Sequence, residues 1–191
     1  MPVPHVRARS VLDFTAYLRK ARPGVVEGIL DRVPAECRRV LNDALPTSWI
    51  SIEHSRHWVA GFVRAVGAPE ARELTAEFTQ QWVLRSPFLK SLAETMIRLK
   101  GISPETVIRV LPRALDATYR DFFKARLVEL HPGRAIIALE ELAPELLDTP
   151  EYFVLFSGGM EGTLRFMRRP GQVELTVDHR RRVARYSLSW T

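Results

Sequence analysis

The chain of 191 residues has one cysteine, Cys37, so no internal disulfide can form and no zinc site can be assembled from cysteines. Cys37 stands at a helical position and reads as a small buried hydrophobe rather than a nucleophile. No run of about 18 apolar residues occurs, which excludes a membrane-spanning helix. The opening stretch MPVPHVRARS lacks the apolar segment of a secretory signal, so the expected location is cytoplasmic. Lysine is scarce: Lys20, Lys90, Lys100 and Lys124 are the only four among 28 basic residues. That bias can come from G+C-rich coding and needs no nucleic-acid role. Catalytic motifs are missing as well. Ser157-Gly158-Gly159 has neither the glycine spacing of a nucleophile elbow nor the G-K-[ST] ending of a phosphate loop. No nucleophile with a base and no pair of carboxylates stands at a telling spacing, so an enzyme is not expected. Internal repeats and low-complexity segments are absent.

What is present specifies a fold. With 46% hydrophobic residues the chain is long enough for one sizeable core. Val11, Phe14, Tyr17 and Leu18 recur at helical spacing after Ser10 and Asp13, a capping signal, and predict a helix over 10–21. Pro23-Gly24 breaks it. A short helix over 25–31 and another opening at Pro34 complete a helical segment 1–45. Trp49, Ile50 and Ile52 form a brief extended entry to a helix over 53–66, with Trp58, Phe62, Ala65 and Val66 on its apolar stripe. Pro69, Ser86-Pro87 and Ser103-Pro104-Glu105 each open a further helix, and Pro112 predicts a kink or break in the last of these, which reaches Tyr119. From residue 122 the period becomes that of strands. Segments 122–130 and 134–140 flank the turn His131-Pro132-Gly133. A loop with Pro144, Asp148 and Pro150 leads, with Thr149 or its neighbours as cap, to a helix over 151–168. Two alternating strands follow, in which Val173, Leu175 and Val177, then Ala184, Tyr186, Leu188 and Trp190, face inward. The predicted fold class is α+β: a helical N-terminal part packed on a C-terminal antiparallel sheet of about four strands in ββαββ order. The segments 1–45 and 46–191 are expected to form one compact unit.

Three constellations compete for function. His54 and His57 share a helix face, but no third ligand follows at a recognisable interval, so no metal site is expected. The aromatic residues Trp49, Trp58, Trp82, Phe88, Tyr119 and Phe122 are the candidates to line a ligand pocket between helices and sheet, with ordinary core as the plainer alternative. The net charge of +6 collects at the end of the chain. Arg165, Arg168, Arg169, Arg180, Arg181, Arg182 and Arg185, against Glu174 and Asp178, give residues 162–191 a charge of +5. These arginines are the candidates for partner binding. Tyr186 and Trp190 alternate inward, away from Arg185, and no groove-reading motif occurs, so nucleic acid is a poor match. Gly158, Gly159 and Gly162 lie near one helical face and predict close approach to the sheet or to a partner helix.

The stretches LPTSWISIEH (45–54), IRLKGISPETVIRVLPRALDATYRDFFKARLVELHPGRAIIALEEL (97–142), YFVLFSGGMEGTLRF (152–166) and YSLSW (186–190) together resemble DUF2378, an uncharacterised Myxococcus-type family. That family in turn is similar to the fold group of the 4-vinyl-reductase-type domain, the haem nitric-oxide-binding domain and a class of Golgi transport-particle subunits. The resemblance implies helices packed on an antiparallel sheet, and a sensory, ligand-binding or assembly role more readily than catalysis. The haem-binding relatives carry a histidine followed by Tyr-x-Ser-x-Arg. The nearest string here, Tyr186-Ser187-Leu188-Ser189-Trp190, lacks the arginine and lies elsewhere in the chain. No cofactor is therefore expected. The leading expectation is a non-enzymatic binding, sensory or assembly module of bacterial signalling, acting through protein contacts as a homodimer or other self-association. The alternative is a small-molecule sensor or carrier with an internal pocket for an apolar ligand.

Overall fold

The structure, a computed structural model, describes residues 2–85 and 103–191. The helix expected over 86–101, and with it Phe88, lies outside the described residues. The chain opens with a strand, β1 (His5–Arg7), which is too short to leave a periodic signal. It pairs antiparallel with β2 (Trp49–Ser51) and β3 (Tyr119–Arg120), Val6 standing opposite both Ile50 and Tyr119. This three-stranded sheet ties the first residues to the middle of the chain.

Helix α1 (Ala8–Ala21) begins two residues before the expected start. Ser10 does not cap it. Already inside the first turn, its hydroxyl donates back to the Arg7 carbonyl at 2.8 Å, and Asp13 accepts from Trp82 Nε1 at 3.0 Å. Helices α2 (Val25–Leu30) and α3 (Ala35–Asp43) follow, each opened by its Gly24 or Pro34 boundary. Helix α4 (Ile52–Val66) buries Ile52, Trp58, Val59 and Phe62 and stops at Gly67, whose φ of +85° favours glycine. Helix α5 (Ala68–Arg85) buries Ala71, Leu74 and Ala76. Helix α6 (Pro104–Thr118) starts at Ser103, whose hydroxyl accepts from the Thr106 amide. Of the kink or break expected at Pro112, the break does not occur, and the helix runs on through it. A proline inside a helix deletes one amide donor, and the bonds of the neighbouring turns carry the helix across. The helix ends at Thr118, and Tyr119 belongs to β3.

The second sheet has the order β4-β5-β7-β6, all antiparallel, formed by β4 (Lys124–His131), β5 (Arg134–Glu140), β6 (Gly171–Asp178) and β7 (Val183–Trp190). The β4–β5 hairpin closes over Pro132-Gly133, with Gly133 at φ +77°, the conformation that the second central position of a proline-led turn requires. Alternation holds on β7, where Ala184, Tyr186, Leu188 and Trp190 are buried. Of their partners on β6 only Val173 is fully buried; Leu175 and Val177 are half-exposed towards the sheet edge. The stretch expected as a loop after β5 contains a helical turn, α7 (Pro144–Leu147), which the N1 proline favours. Helix α8 (Glu151–Phe166) is capped by Pro150, within the expected set of Thr149 and its neighbours, and the Thr149 hydroxyl donates to the Glu145 carbonyl at 2.9 Å. The fold is thus α+β, with eight helices among the described residues and helices packed on a four-stranded antiparallel sheet. No helix among the described residues is long and apolar enough to cross a membrane.

Helix α8 packs along α5. A Cβ on Gly158 would collide with the Arg72 carbonyl and lie 2.8 Å from Thr75 Cβ; one on Gly162 would collide with the Ala76 carbonyl and lie 2.7 Å from Thr79 Cβ. The glycines therefore serve a helix–helix contact. Two ion pairs flank it. Arg72 grips Glu161 through two nitrogens at 2.9 and 2.7 Å and also donates to the Val173 carbonyl at 2.7 Å, joining α5, α8 and β6. Arg165 holds Glu73 in the same two-pronged way.

Candidate ligand cavity

Between α1, α4, α5, α6 and α8 lies an apolar cavity of about 190 Å³. Helix α6 supplies Val107, Val110, Leu111, Ala114, Leu115 and Thr118, which fall at spacings of three and four and so form one continuous face. Of the whole helix only Pro104 and Ile108 are fully buried, so that apolar stripe borders open volume rather than close-packed core. Helix α8 contributes Tyr152, Leu155, Phe156, Gly159, Met160 and Thr163; α4 contributes Ser55, Trp58 and Val59; α5 contributes Thr75, Phe78, Thr79 and Trp82. Val6, Ser10, Val11 and Phe14 close the N-terminal side, and Tyr119 completes the wall. A dry cavity of about 150 Å³ is enough to hold benzene, whereas sites for drug-sized ligands begin near ~300 Å³. The space fits a molecule of one or two rings.

The wall carries no charged side chain among the described residues. Most of its hydroxyls are satisfied within the protein. Ser10 donates to Arg7, Thr75 to Ala71, Thr118 to Ala114 and Thr163 to Gly159, each to a backbone carbonyl. Ser55 lies 3.1 Å from the Ser51 carbonyl, to which it can donate, and 2.7 Å from the Tyr152 hydroxyl, a pair in which either oxygen can be the donor. Burial raises the pKa of Tyr152 against the opposing pull of that hydrogen bond, and burial alone raises that of Tyr119. Both phenols stay protonated at neutral pH and keep a hydrogen to donate.

Of the aromatic candidates, Trp58, Trp82 and Tyr119 stand in the cavity wall. Phe122 is fully buried behind it, its ring 5.2 Å from that of Tyr119 and 5.4 Å from that of Tyr152. Trp49 is elsewhere, flanked by the guanidinium groups of Arg7 and Arg120 at 4.1 and 4.3 Å from its ring centre. Sequence reasoning passed over Phe14, Phe78, Tyr152 and Phe156, which line the same space. The signal that could have found the site is the face 107/110/111/114/115/118 of α6.

The arginine candidates do not share one surface. Arg165, Arg168 and Arg169 lie at the end of α8, beside the start of β6, and Arg180, Arg181 and Arg182 at its far end, roughly 20 Å away along an eight-residue strand. Arg165 is taken by Glu73, and Arg182 donates to the Leu142 carbonyl at 2.6 Å. Arg169 reaches the Thr191 carbonyl at 3.4 Å, and Arg181 lies 3.7 Å from Asp178. Arg168, Arg180 and Arg185 are exposed. His54 Nδ1 lies 3.5 Å from Cys37 Sγ, and burial, followed by the nearby Arg56, lowers the pKa of His57. Among the described residues no three His, Cys, Asp or Glu side chains gather as a metal site.

Fold and cavity together define a class: a helical cap on an antiparallel sheet enclosing an apolar space. Comparison with solved structures agrees on the fold. The chain is similar to an H-NOX protein mutant from K. algicida in the Fe(II) unliganded form, with a TM-score of 0.65, 8% identity and coverage of 97% of this chain and 96% of that one. It is similar also to an oxygen-binding H-NOX domain related to soluble guanylate cyclases, with a TM-score of 0.61, 13% identity and coverage of 97% and 95%. The F78L variant of Tt H-NOX gives a TM-score of 0.63 at 14% identity, with coverage of 97% and 95%. At such identities the likeness shows the fold alone. No family model and no curated protein matches the chain, so the resemblance to DUF2378 rests on the stretches quoted above.

The fold group implies haem, and the cavity does not suit it. None of the five histidines, nor Cys37, lines the space. Among the described residues, Met160, Tyr119 and Tyr152 are the only side chains in the wall of a type that can bind haem iron axially. The Tyr152 hydroxyl is occupied by Ser55, and burial holds both phenols in the protonated form, opposite to what a tyrosinate ligand needs. No arginine or lysine among the described wall residues could meet the carboxylates of a porphyrin.

Proposed function

We propose that the protein is a non-catalytic sensor or carrier that takes a small apolar molecule into the cavity. The observation that carries this reading is the cavity itself, a space of about 190 Å³ walled by apolar side chains from β1 and five helices. A ligand there would touch the N-terminal helices and α8 at once, and so could bias how the two are held together. The neighbouring H-NOX structures support the reading by fold; one of them is described as oxygen-binding. A place in DUF2378 and a role in bacterial signalling belong to the same proposal. The self-association reading has thinner support, because Arg165 and Arg182 are engaged within the chain. Native mass spectrometry of freshly purified protein tests the proposal, alongside calorimetric titration with ethylbenzene. A retained small molecule, or saturable ethylbenzene binding, is expected, and Ala114→Phe, which fills the space, should abolish it. Protein that carries nothing, and neither binds nor is stabilised by ethylbenzene, would refute the reading.

A further inference from the structure

The polar groups of the cavity wall narrow the ligand class, an inference that rests on the cavity reading above. Among the described residues two wall hydroxyls have no hydrogen-bond partner, those of Tyr119 and Thr79, while Ser10, Ser55, Thr75 and Thr163 are satisfied within the chain. Tyr119 is the better placed of the two. Its ring is wedged against Phe122 at 5.2 Å, Phe123 at 5.6 Å and, edge-on at 89°, Phe156 at 5.1 Å. A phenol locked in that way keeps one rotatable hydrogen and little other freedom, which makes it a pre-positioned donor. With no partner among the described residues, the Tyr119 hydroxyl is free to donate to an acceptor on a ligand that lies against its wall. The absence of cationic side chains from the described wall disfavours carboxylates and phosphates, which would be desolvated without a counter-charge.

We propose that the cavity selects a neutral, largely apolar molecule of one or two rings bearing a single oxygen acceptor, such as an aryl ketone or aldehyde, and that the Tyr119 hydroxyl is the group that recognises that oxygen. Thr79 offers a second, weaker contact.

Three probes of similar size separate the terms: ethylbenzene, acetophenone and benzoate, titrated calorimetrically into the full chain as wild type and as Tyr119→Phe. Acetophenone should bind the wild type about tenfold more tightly than it binds Tyr119→Phe, the worth of one hydrogen bond. Ethylbenzene should bind both alike, and benzoate should bind neither. Equal responses of acetophenone and ethylbenzene to the substitution overturn the role of Tyr119 while leaving the cavity as a binding site. Benzoate binding as tightly as acetophenone overturns the neutral class. If neither neutral probe binds, the sensor reading fails, and this inference with it. Should Tyr119→Phe melt early, the wild type still decides. Transfer from water favours the hydrocarbon, so an acetophenone-to-ethylbenzene affinity ratio at or below one overturns the proposal.

Discussion

Replacing Gly158, Gly159 and Gly162 one at a time by alanine applies one chemical change to three settings on α8. Each replacement offers the same local gain, about 1 kcal/mol of helix propensity. At Gly159 nothing opposes it, since the nearest atom to the new Cβ would be Thr79 Oγ1 at 3.9 Å, an ordinary contact. That variant should be more stable by ~1 kcal/mol. At Gly158 and Gly162 the methyl meets the Arg72 and Ala76 carbonyls, backbone of α5 that cannot rotate aside, with Thr75 Cβ and Thr79 Cβ at 2.8 and 2.7 Å behind them. Relief requires α5 and α8 to part. Overpacking of this kind costs about 1–3 kcal/mol, occasionally more, and parting the helices also stretches the two-pronged Arg72–Glu161 and Arg165–Glu73 pairs. A net loss of ~1–2 kcal/mol is expected at each position. The two losses should not add in full, because the first methyl already makes part of the room for the second. Urea unfolding followed by far-ultraviolet circular dichroism measures all of these, and in a chain of this length ~1 kcal/mol moves the melting temperature by about 2–4 °C. Gly159→Ala melting above wild type, with Gly158→Ala and Gly162→Ala below it, is the expected pattern. Either of the latter melting at or above wild type would refute the close α5–α8 contact.

Three further perturbations test the wall and the clamps. Ser55→Ala leaves the Tyr152 hydroxyl buried without its hydrogen-bond partner and should cost about 1–3 kcal/mol, while Ser55→Ala combined with Tyr152→Phe should cost less than the sum of the separate changes, as a double-mutant cycle in urea would show. Arg72→Met removes the ion pair with Glu161 and the bond to the Val173 carbonyl, for an expected loss of ~2 kcal/mol; Arg165→Met, whose pair with Glu73 is the more exposed, should lose under ~1 kcal/mol by the same assay. The hydrogen bonds from Arg165 hold the Glu73 carboxyl below its ordinary value of 4.5. Its contribution is therefore fully present above that value and is lost as pH falls through the lower folded-state value. The stability difference between wild type and Arg165→Met should be constant near neutrality and vanish in acid; a difference that grows on acidification contradicts the pairing.

The sheet and most helices were legible because their signals are local. Alternation along 183–190, the Pro132-Gly133 turn and the Ser103-Pro104 start each sit within a few residues and describe the element they occupy. What could not be read is what depends on distant partners. Strand β1 has three residues and β3 has two, too short for any period, and they exist because Val6 finds Ile50 and Tyr119 far along the chain. Ser10 matched a capping signal, yet its hydroxyl donates to the Arg7 carbonyl instead of accepting from an amide, since a hydroxyl inside a turn satisfies the carbonyl that the turn presents. The cavity had a signal that could not be interpreted. An apolar stripe at helical spacing looks the same whether it faces packed side chains or a void, and the stripe of α6 differs from that of α4 only in how completely it is covered. The arginine cluster is a cluster in sequence alone: the length of β6 sets Arg165, Arg168 and Arg169 apart from Arg180, Arg181 and Arg182.

The α8 helix joins these observations causally. Gly158 and Gly162, one turn apart, face α5, whereas Tyr152, Phe156, Gly159, Met160 and Thr163 of the same helix face the cavity. Because the helix is rigid between turns, the depth to which the two glycines let it sink against α5 also fixes where its cavity wall stands relative to Thr75, Phe78 and Thr79 on α5. The converse follows. A ligand bound there as proposed would press on α8 from the side opposite the Arg72–Glu161 and Arg165–Glu73 pairs, and the Arg72 bond to the Val173 carbonyl would link that displacement to β6. For a ligand bound as proposed, the route to the antiparallel sheet would thus run through a contact that two missing methyl groups make possible.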